Sequence, residues 1–519
     1  DSLLTTHKHF AAYGAISAGL DYNFVDMAPQ TLRDVHLPPF KAALDAGALT
    51  LMSSFNDING VPASANRELL TAILRGEWKF EGFVVSDYTS DLELVAHGYA
   101  ADEADAAQKA LSAGLDMSLQ SGVYANHVAA LVEQGRLSMA EVDEAVRRVL
   151  HVKAAAGLFD DPYRCLDAAR EADQSHIPAH DALARDCARR SIVLLKNDGD
   201  VLPLKKGGQR IALIGPFAQD TAHLCGCWNI FVDASRMVDL ETGLRAALDD
   251  PSALVVVPGS GIEDAVEGGI EAAVAAARAA DVVLLALGEP HDFSGEAQSR
   301  TQIVIPAAQQ ALAEAVAATG TPVVVVLRNG RALALEGAVR EAQALLVTWF
   351  LGTQTGPAVA DVVFGDYNPS ARLPVSFPQD AGQQPYFYNH PATGRPNVPG
   401  TPRFFQTRWR EVPHAALYPF GHGLTYTRFE YGLPQLSATR LGWDDTLTVR
   451  TRSTNVGARD GEDVVQLYVR DRIASRVRPV RELKRFRKIA LAAGQSLDVE
   501  FTLTRADLAF HGVDNRLAA

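Results

Sequence analysis

A chain of 519 residues, 47% hydrophobic and 21% charged, has an ordinary globular composition and is too long for one core, so roughly three domains are expected. Its formal net charge of -14 argues against nucleic acid and anionic membrane surfaces as partners, since both need basic patches, and it suits a neutral substrate. No apolar run approaches the ~20 residues that span a bilayer. Cys165, Cys187, Cys225 and Cys227 are too few for a disulfide scaffold and lack the neighbours of a zinc site, so they read as structural. The chain opens on DSLLTTHKHF with no initiator Met and no signal peptide, as a mature or truncated product would.

The first elements alternate in type. LLTTHKHF, ALTLMSSF, GFVVSD and AGLDMSL are strand-like runs separated by helical patterns, at the roughly 30- to 45-residue spacing of consecutive βα units. Each run ends in polar residues: Lys8-His9, Ser53-Ser54, Asp87 and Asp116-Met117. SMAEVDEAVRRVLHVKAAAGLF reads as a capped helix stopped by Gly157. Four such units are half of a closed barrel or part of an open sheet.

Asp87 stands out because it follows a buried strand, FVVS, with Tyr88 beside it. An Asp at a strand-to-helix turn is often only an N-cap. Here Ser90 and Glu93 form an S-x-x-E capping box ahead of LELVAHGYA, which leaves Asp87 without a structural duty. A spare carboxylate at the carboxyl end of a parallel strand is where α/β proteins place chemistry.

A polar stretch containing DDPYR leads into six fully apolar strands: SIVLLKN, RIALIGP, ALVVVPG, DVVLLALGE, PVVVVLRNG and ALLVTWF. Ala-rich helices lie between them, the pattern of a doubly wound parallel sheet. No Gly-rich phosphate-binding motif follows any strand, so nucleotide binding has no support. Residues 379–434 are rich in Pro, Gly and aromatics, too long for a simple loop, and are expected to wrap over another domain. TLTVRTRSTNVG, EDVVQLYVRD and SLDVEFTLT then alternate with period two, as in a small β-sandwich.

A carboxylate partner for Asp87 is expected in the loop after DVVLLALGE, which holds Glu289, His291, Asp292, Glu296 and Arg300. Gly295 gives that loop freedom and Arg300 is a natural ion-pair partner for a nearby acid, although a charged loop is most often solvated surface.

KHFAAYG (8–14), GFVVSDY (82–88), SGEAQSR (294–300), GTQTGPAVADVVFGDYNPSARLPVSFP (352–378) and YPFGHGLTYTRFEY (418–431) stand in the order of glycoside hydrolase family 3, which the chain resembles over essentially its whole length. NVGARDGEDVVQLYV and RPVRELKRFRKIALAAGQS resemble that family's fibronectin type III-like module, and the likeness is strongest to its bacterial periplasmic β-glucosidases. The resemblance implies an α/β architecture. Residues 1–157 would be the C-terminal part of a (β/α)8-type barrel lacking its first part, and 158–179 a linker. Residues 180–378 would be an α/β sandwich with a parallel sheet, 379–434 a wrapping linker, and 435–519 a fibronectin type III-like β-sandwich stopping short of the family's final strand.

By the same resemblance Asp87 takes the nucleophile position and Glu296 that of the general acid/base. Lys8 and His9 hold sugar hydroxyls, Tyr88 offers a face to the next ring, and Asp21 supports the site from behind; Arg300, as an ion-pair partner for a nearby acid, is expected to do the same. Local departures are Phe55 for a common Tyr, His7 before the Lys, and Ala371 for a frequent Gly. The implied activity is that of a retaining exo-acting β-glycosidase, first a β-glucosidase, acting without cofactor or metal on a small-molecule or oligosaccharide β-glucoside in the periplasm or outside the cell. No nucleic-acid or membrane partner is implied, and a homodimer is left open. β-Xylosidase is the nearest competing activity. The alternative from another class is a catalytically impaired fragment that binds sugar or a partner chain, because the family's earlier barrel strands carry an acid and an arginine that bind the same sugar.

Overall fold

The computed structural model describes residues 3–174, 177–397, 400 and 404–518. Residues 1–2 of the barrel part, 175–176 of the linker, 398–399 and 401–403 of the wrapping segment, and Ala519 lie outside the described residues. The chain divides into two compact units, residues 1–175 with 509–519, and residues 176–508.

In the first unit β1 (Thr6–Phe10), β2 (Thr50–Ser53) and β3 (Phe83–Val85) form a parallel sheet in that order. Val85 bridges in parallel to Met117, at the fourth strand-like run. Phe10, Leu51, Val84 and Leu115 are buried, so each run is held by the apolar residues that announce it. α1 (Glu103–Ala113) starts at Asp102, whose side chain accepts from Asp105 N, and ends at Gly114 in the left-handed region. α2 (Met139–Ala155) opens with a complete capping box between Ser138 and Glu141.

The helix expected after Ser90 is a single 3₁₀ turn, Leu92–Leu94. Asp91, not Ser90, caps it by accepting from Leu92 N at 3.1 Å. Ser90 is pulled inward instead, its hydroxyl 2.8 Å from that of Ser64, and Gly98 at φ 66° bars continuation. The last short pair, Phe510–His511 against Leu517–Ala518, groups with this first unit, and His511 Nδ1 lies 2.6 Å from Asp34 Oδ1.

The second unit carries a six-stranded sheet. Its strands are β4 (Val193–Asn197), β5 (Ile211–Ile214), β6 (Leu254–Val257), β7 (Val282–Gly288), β8 (Val323–Arg328) and β9 (Ala344–Val347), in spatial order β4-β9-β8-β7-β5-β6. Alternate residues of β7 and β8 feed two apolar layers, one holding Val283, Leu285 and Val325, the other Leu284, Val324 and Val326. All neighbours are parallel except β4, which runs antiparallel to β9. The wholly parallel sheet expected from sequence is corrected at this edge. No strand of the sheet precedes β4, so no right-handed crossover dictates its direction.

Chain order reverses between β5 and β7, which makes their carboxyl ends the switch point of the sheet. The irregular segment beyond residue 379 ties parts of this unit together through a Leu194–Leu424 bridge to β4 and a Pro391–Pro479 bridge to the sandwich. In the sandwich, Leu447–Asn455 pairs with Ser496–Leu503 and Gly461–Val469 with Glu482–Leu491, around Val465, Ile489, Leu491, Val499 and Phe501.

Candidate active site

The chemistry-bearing residues form two groups, one in each unit. In the first unit Asp87 lies just past the end of β3 and is buried. Its Oδ1 accepts from Tyr88 N at 2.8 Å. Its Oδ2 is buried and makes no hydrogen bond among the described residues, with His9 Nε2 as a close neighbour at 3.1 Å. His9 reaches Asp87 from β1, which gains one residue against β2 between His7 and Phe10. Such a bulge breaks strict alternation and re-aims side chains. Lys8 and Tyr88 are exposed.

Behind His9 stands Tyr13, its ring 5.2 Å from the imidazole. Its phenol accepts from Tyr22 N at 3.3 Å and is hydrogen-bonded to the Asp21 side chain; burial first, and then the Asp21 charge, raise its affinity for its proton. Asp21 thus touches Tyr13, which packs on His9 and which the sequence reading did not single out. Its signal was its place in KHFAAYG, four residues after His9.

The other polar strand ends of this unit are committed to structure. Ser53 Oγ lies 2.8 Å from Ser64 Oγ, and Ser54 bonds Asn56. Asp116 Oδ2 takes Arg75 Nη2 at 2.5 Å and Val84 N at 2.8 Å, while Oδ1 takes Arg148 Nη1 at 2.8 Å. Burial raises the Asp116 pKa even against the pull of both guanidinium groups, and it lowers that of Arg75 to about 10.

In the second unit β7 ends at Gly288, where φ is 134° and any side chain would collide with the Arg328 carbonyl. Only glycine lets Glu289 enter, fully buried, with its N–H donating to Arg328 O at 2.9 Å. Arg300 Nη1 donates to Glu289 Oε1 at 2.5 Å, and Arg331 Nε is 3.5 Å from Oε2. Burial raises the Glu289 pKa, opposed by these two cations. Arg300 thus serves Glu289, and its guanidinium also covers the Phe293 ring at 4.4 Å.

Arg331 further binds the carbonyls of Phe293 and Gln298, so it fixes both flanks of the stretch that carries Glu296. Glu296 is exposed, and Gly295 before it packs on Cys227, next to the exposed Trp228. His223 and His291 meet Nδ1 to Nδ1 at 2.6 Å. Burial lowers the His223 pKa first, with His291 and Arg328 adding to the effect. Arg331, His223 and Trp228 were not singled out from sequence, since none sits in a recognisable spacing. Among the described residues no group of three or more His, Cys, Asp or Glu could hold a metal, and no helix is long and apolar enough to cross a membrane.

Comparison with known families matches residues 1–152 to the glycosyl hydrolase family 3 N-terminal domain, 192–426 to its C-terminal domain, and 463–518 to a fibronectin type III-like domain. A periplasmic beta-glucosidase of Salmonella typhimurium is 43% identical over 98% of this chain and 69% of its own length. A beta-xylosidase of Formosa agariphila is 35% identical over 96% of this chain and 70% of its own. The crystal structure of a beta-glucosidase from Listeria innocua in complex with isofagomine superposes with a TM-score of 0.95 at 39% identity, covering 98% of this chain and 71% of that one.

Proposed function

Because the chain belongs to glycoside hydrolase family 3, we propose that it is a retaining, exo-acting β-glucosidase that releases terminal non-reducing glucose from a β-glucoside by double displacement. The observation that carries this reading is Asp87, whose Oδ2 is buried, makes no hydrogen bond and has His9 at 3.1 Å. A buried carboxylate oxygen without a hydrogen bond costs roughly 1–3 kcal/mol; Glu289 Oε2 is in the same state but lies between the Arg300 and Arg331 cations, whereas Asp87 Oδ2 has His9 beside it, which supports a use in chemistry.

In the proposed reaction Asp87 attacks the anomeric carbon as the bond to the leaving oxygen breaks, and Glu296 gives that oxygen its proton. Glu296 then takes a proton from water, whose oxygen displaces Asp87 and restores the starting configuration. The two carboxyl groups must come within about 5–5.5 Å for this course. Lys8 and His9 hold the sugar hydroxyls, Tyr88 faces the neighbouring ring, and Asp21 acts through Tyr13 on His9. Arg300 and Arg331 set the loop that carries Glu296. The name of the Salmonella relative supports a periplasmic or secreted setting.

A β-xylosidase is the second reading, favoured by the likeness to the Formosa enzyme. Hydrolysis of nitrophenyl β-glucoside against β-xyloside separates the two. Proton NMR of the first-formed sugar tests the mechanism: the β-anomer is expected, and an initial α-anomer overturns it.

A further inference from the structure

Two histidines that the proposed reaction does not use meet beside the strand ends of the second unit. His223 lies on the segment that follows β5, and His291 opens a short turn, His291–Phe293, that follows β7. β5 and β7 are parallel neighbours, so these segments leave the sheet side by side. The imidazoles meet Nδ1 to Nδ1 at 2.6 Å, with ring centres 4.6 Å apart and planes at 35°. Two such nitrogens share one proton, so one donates and the other accepts. His223 Nδ1 also receives the His291 N–H at 3.4 Å, which makes it the acceptor and His291 Nδ1 the donor. The proton of neutral His223 then sits on Nε2, 3.9 Å from Asp220 Oδ1.

The pair therefore closes only while His223 Nδ1 carries no proton. Protonation sets two N–H donors face to face and adds a charge in a partly buried place. The charged and titratable groups that bear on His223 are Asp220, Asp292, Arg328 and His291. Asp220 is already matched by Arg328, whose Nη1 donates to its Oδ2, and the Phe217 ring stands edge-on with its centre 6.4 Å from the imidazole. Burial lowers the His223 pKa against the pull of Asp220, so the proton enters below the unperturbed value of about 6.5.

The two segments meet again further on. A Cβ at Gly295 would stand 2.9 Å from Cys227 Sγ, so the backbone just before Glu296 rests on that thiol. The stretch carrying Glu296 is thus held by Arg331 on the carbonyls of Phe293 and Gln298, by Cys227 and by the histidine pair. Arginine keeps its charge throughout the physiological range, whereas one proton undoes the histidine contact.

We propose that the His223–His291 pair is a proton-operated latch that positions the Glu296 loop, closed at neutral pH and released in acid. Its value to catalysis rests on the reading of Glu296 given above; the latch itself does not.

The test uses the full chain and 4,4′-dithiodipyridine, a disulfide reagent that reacts with thiols in acid as well as at neutral pH. Peptide mass spectrometry reads Cys227 against the exposed Cys165 as internal reference. As pH falls from about 7.5 to about 5, the rate ratio of Cys227 to Cys165 should rise about tenfold, since opening linked to one proton shifts by up to tenfold per pH unit. His291→Phe removes the donor, so its ratio should be high at both pH values. His291→Asn offers an amide N–H in place of the Nδ1–H and, once flipped, an oxygen to protonated His223, so its ratio should stay low at both. In parallel, wild-type turnover of a glucoside with a poor leaving group should fall in acid beyond that of an activated nitrophenyl glucoside, and His291→Asn should remove this extra loss. The thiol response without turnover at any pH leaves the latch standing and removes the glycosidase reading. The thiol response with equal slowing of both substrates breaks the link to Glu296. A flat wild-type ratio, a rise that His291→Asn shares, or a His291→Phe ratio as low as the wild type's at neutral pH overturns the latch.

Discussion

Asp87 and Asp116 belong to the same strand neighbourhood of the first unit and are equally buried, 7% and 8% exposed, yet they are held in opposite ways. Asp116 receives Arg75, Arg148 and the Val84 N–H. Asp87 receives the Tyr88 N–H on one oxygen and no hydrogen bond on the other. Burial alone therefore does not mark a reactive carboxylate. What separates the two is which donors have already been supplied. A carboxylate between two guanidinium groups is committed to the fold, while Asp87 Oδ2, with an imidazole beside it and no hydrogen bond among the described residues, is in the state that the proposed nucleophile needs.

The comparison breaks most visibly in activity. Asp87→Asn should lower turnover about ten-thousandfold or more, as loss of a covalent nucleophile does, while the thermal midpoint stays the same or rises. Azide added to Asp87→Ala should restore some turnover and give the α-glycosyl azide. Asp116→Ala should do the reverse and lower stability by about 3 kcal/mol, because the half-buried Arg75 loses its counter-ion and Arg148 keeps only Glu144 among the described residues. Denaturant unfolding measures this, and an Asp116→Ala protein that is fully stable but inactive would undo the distinction.

Glu296→Gln should slow substrates with poor leaving groups about a hundredfold, and activated nitrophenyl glycosides much less; equal slowing of both would remove Glu296 from the acid/base role. Tyr13→Phe deletes the phenol's two hydrogen bonds behind His9, from Tyr22 N and with Asp21, each worth about 0.5–1.5 kcal/mol, so kcat/KM should fall by about tenfold without loss of fold. The smallest effect concerns acid. The His223 pKa is depressed in the fold, so its contribution is whole above the unfolded value of about 6.5 and is lost as pH falls below it. His223→Gln should make the decline of thermal midpoint between neutral and acidic pH shallower.

Much of this was legible in the residues, and the failures have physical causes. All six strands of the second sheet announce themselves because buried strands are continuous apolar runs. The direction of β4 does not, because an edge strand without a preceding partner obeys no crossover rule. Asp87, Lys8-His9, Ser53-Ser54 and Asp116 all drew notice as polar strand ends, and strand position cannot tell them apart. The partners that settle Asp116 come from Arg75 and Arg148, 41 and 32 residues away in the chain. The cap after β3 shifted from Ser90 to Asp91 for a similar reason, since burial against Ser64 outweighs a local capping pattern. Net charge, as a sum over the chain, does not show that nine cations gather in nineteen residues, 470–488.

The claim on which the rest depends is that Asp87 forms the bond to the sugar. Incubation with 2-deoxy-2-fluoro-β-glucosyl fluoride, followed by proteolysis and mass spectrometry, tests it directly. One fluoroglucosyl group is expected on the peptide containing Asp87, with fragmentation placing it on that side chain. A label on any other residue, or fluoride release with no labelled peptide, would contradict the account.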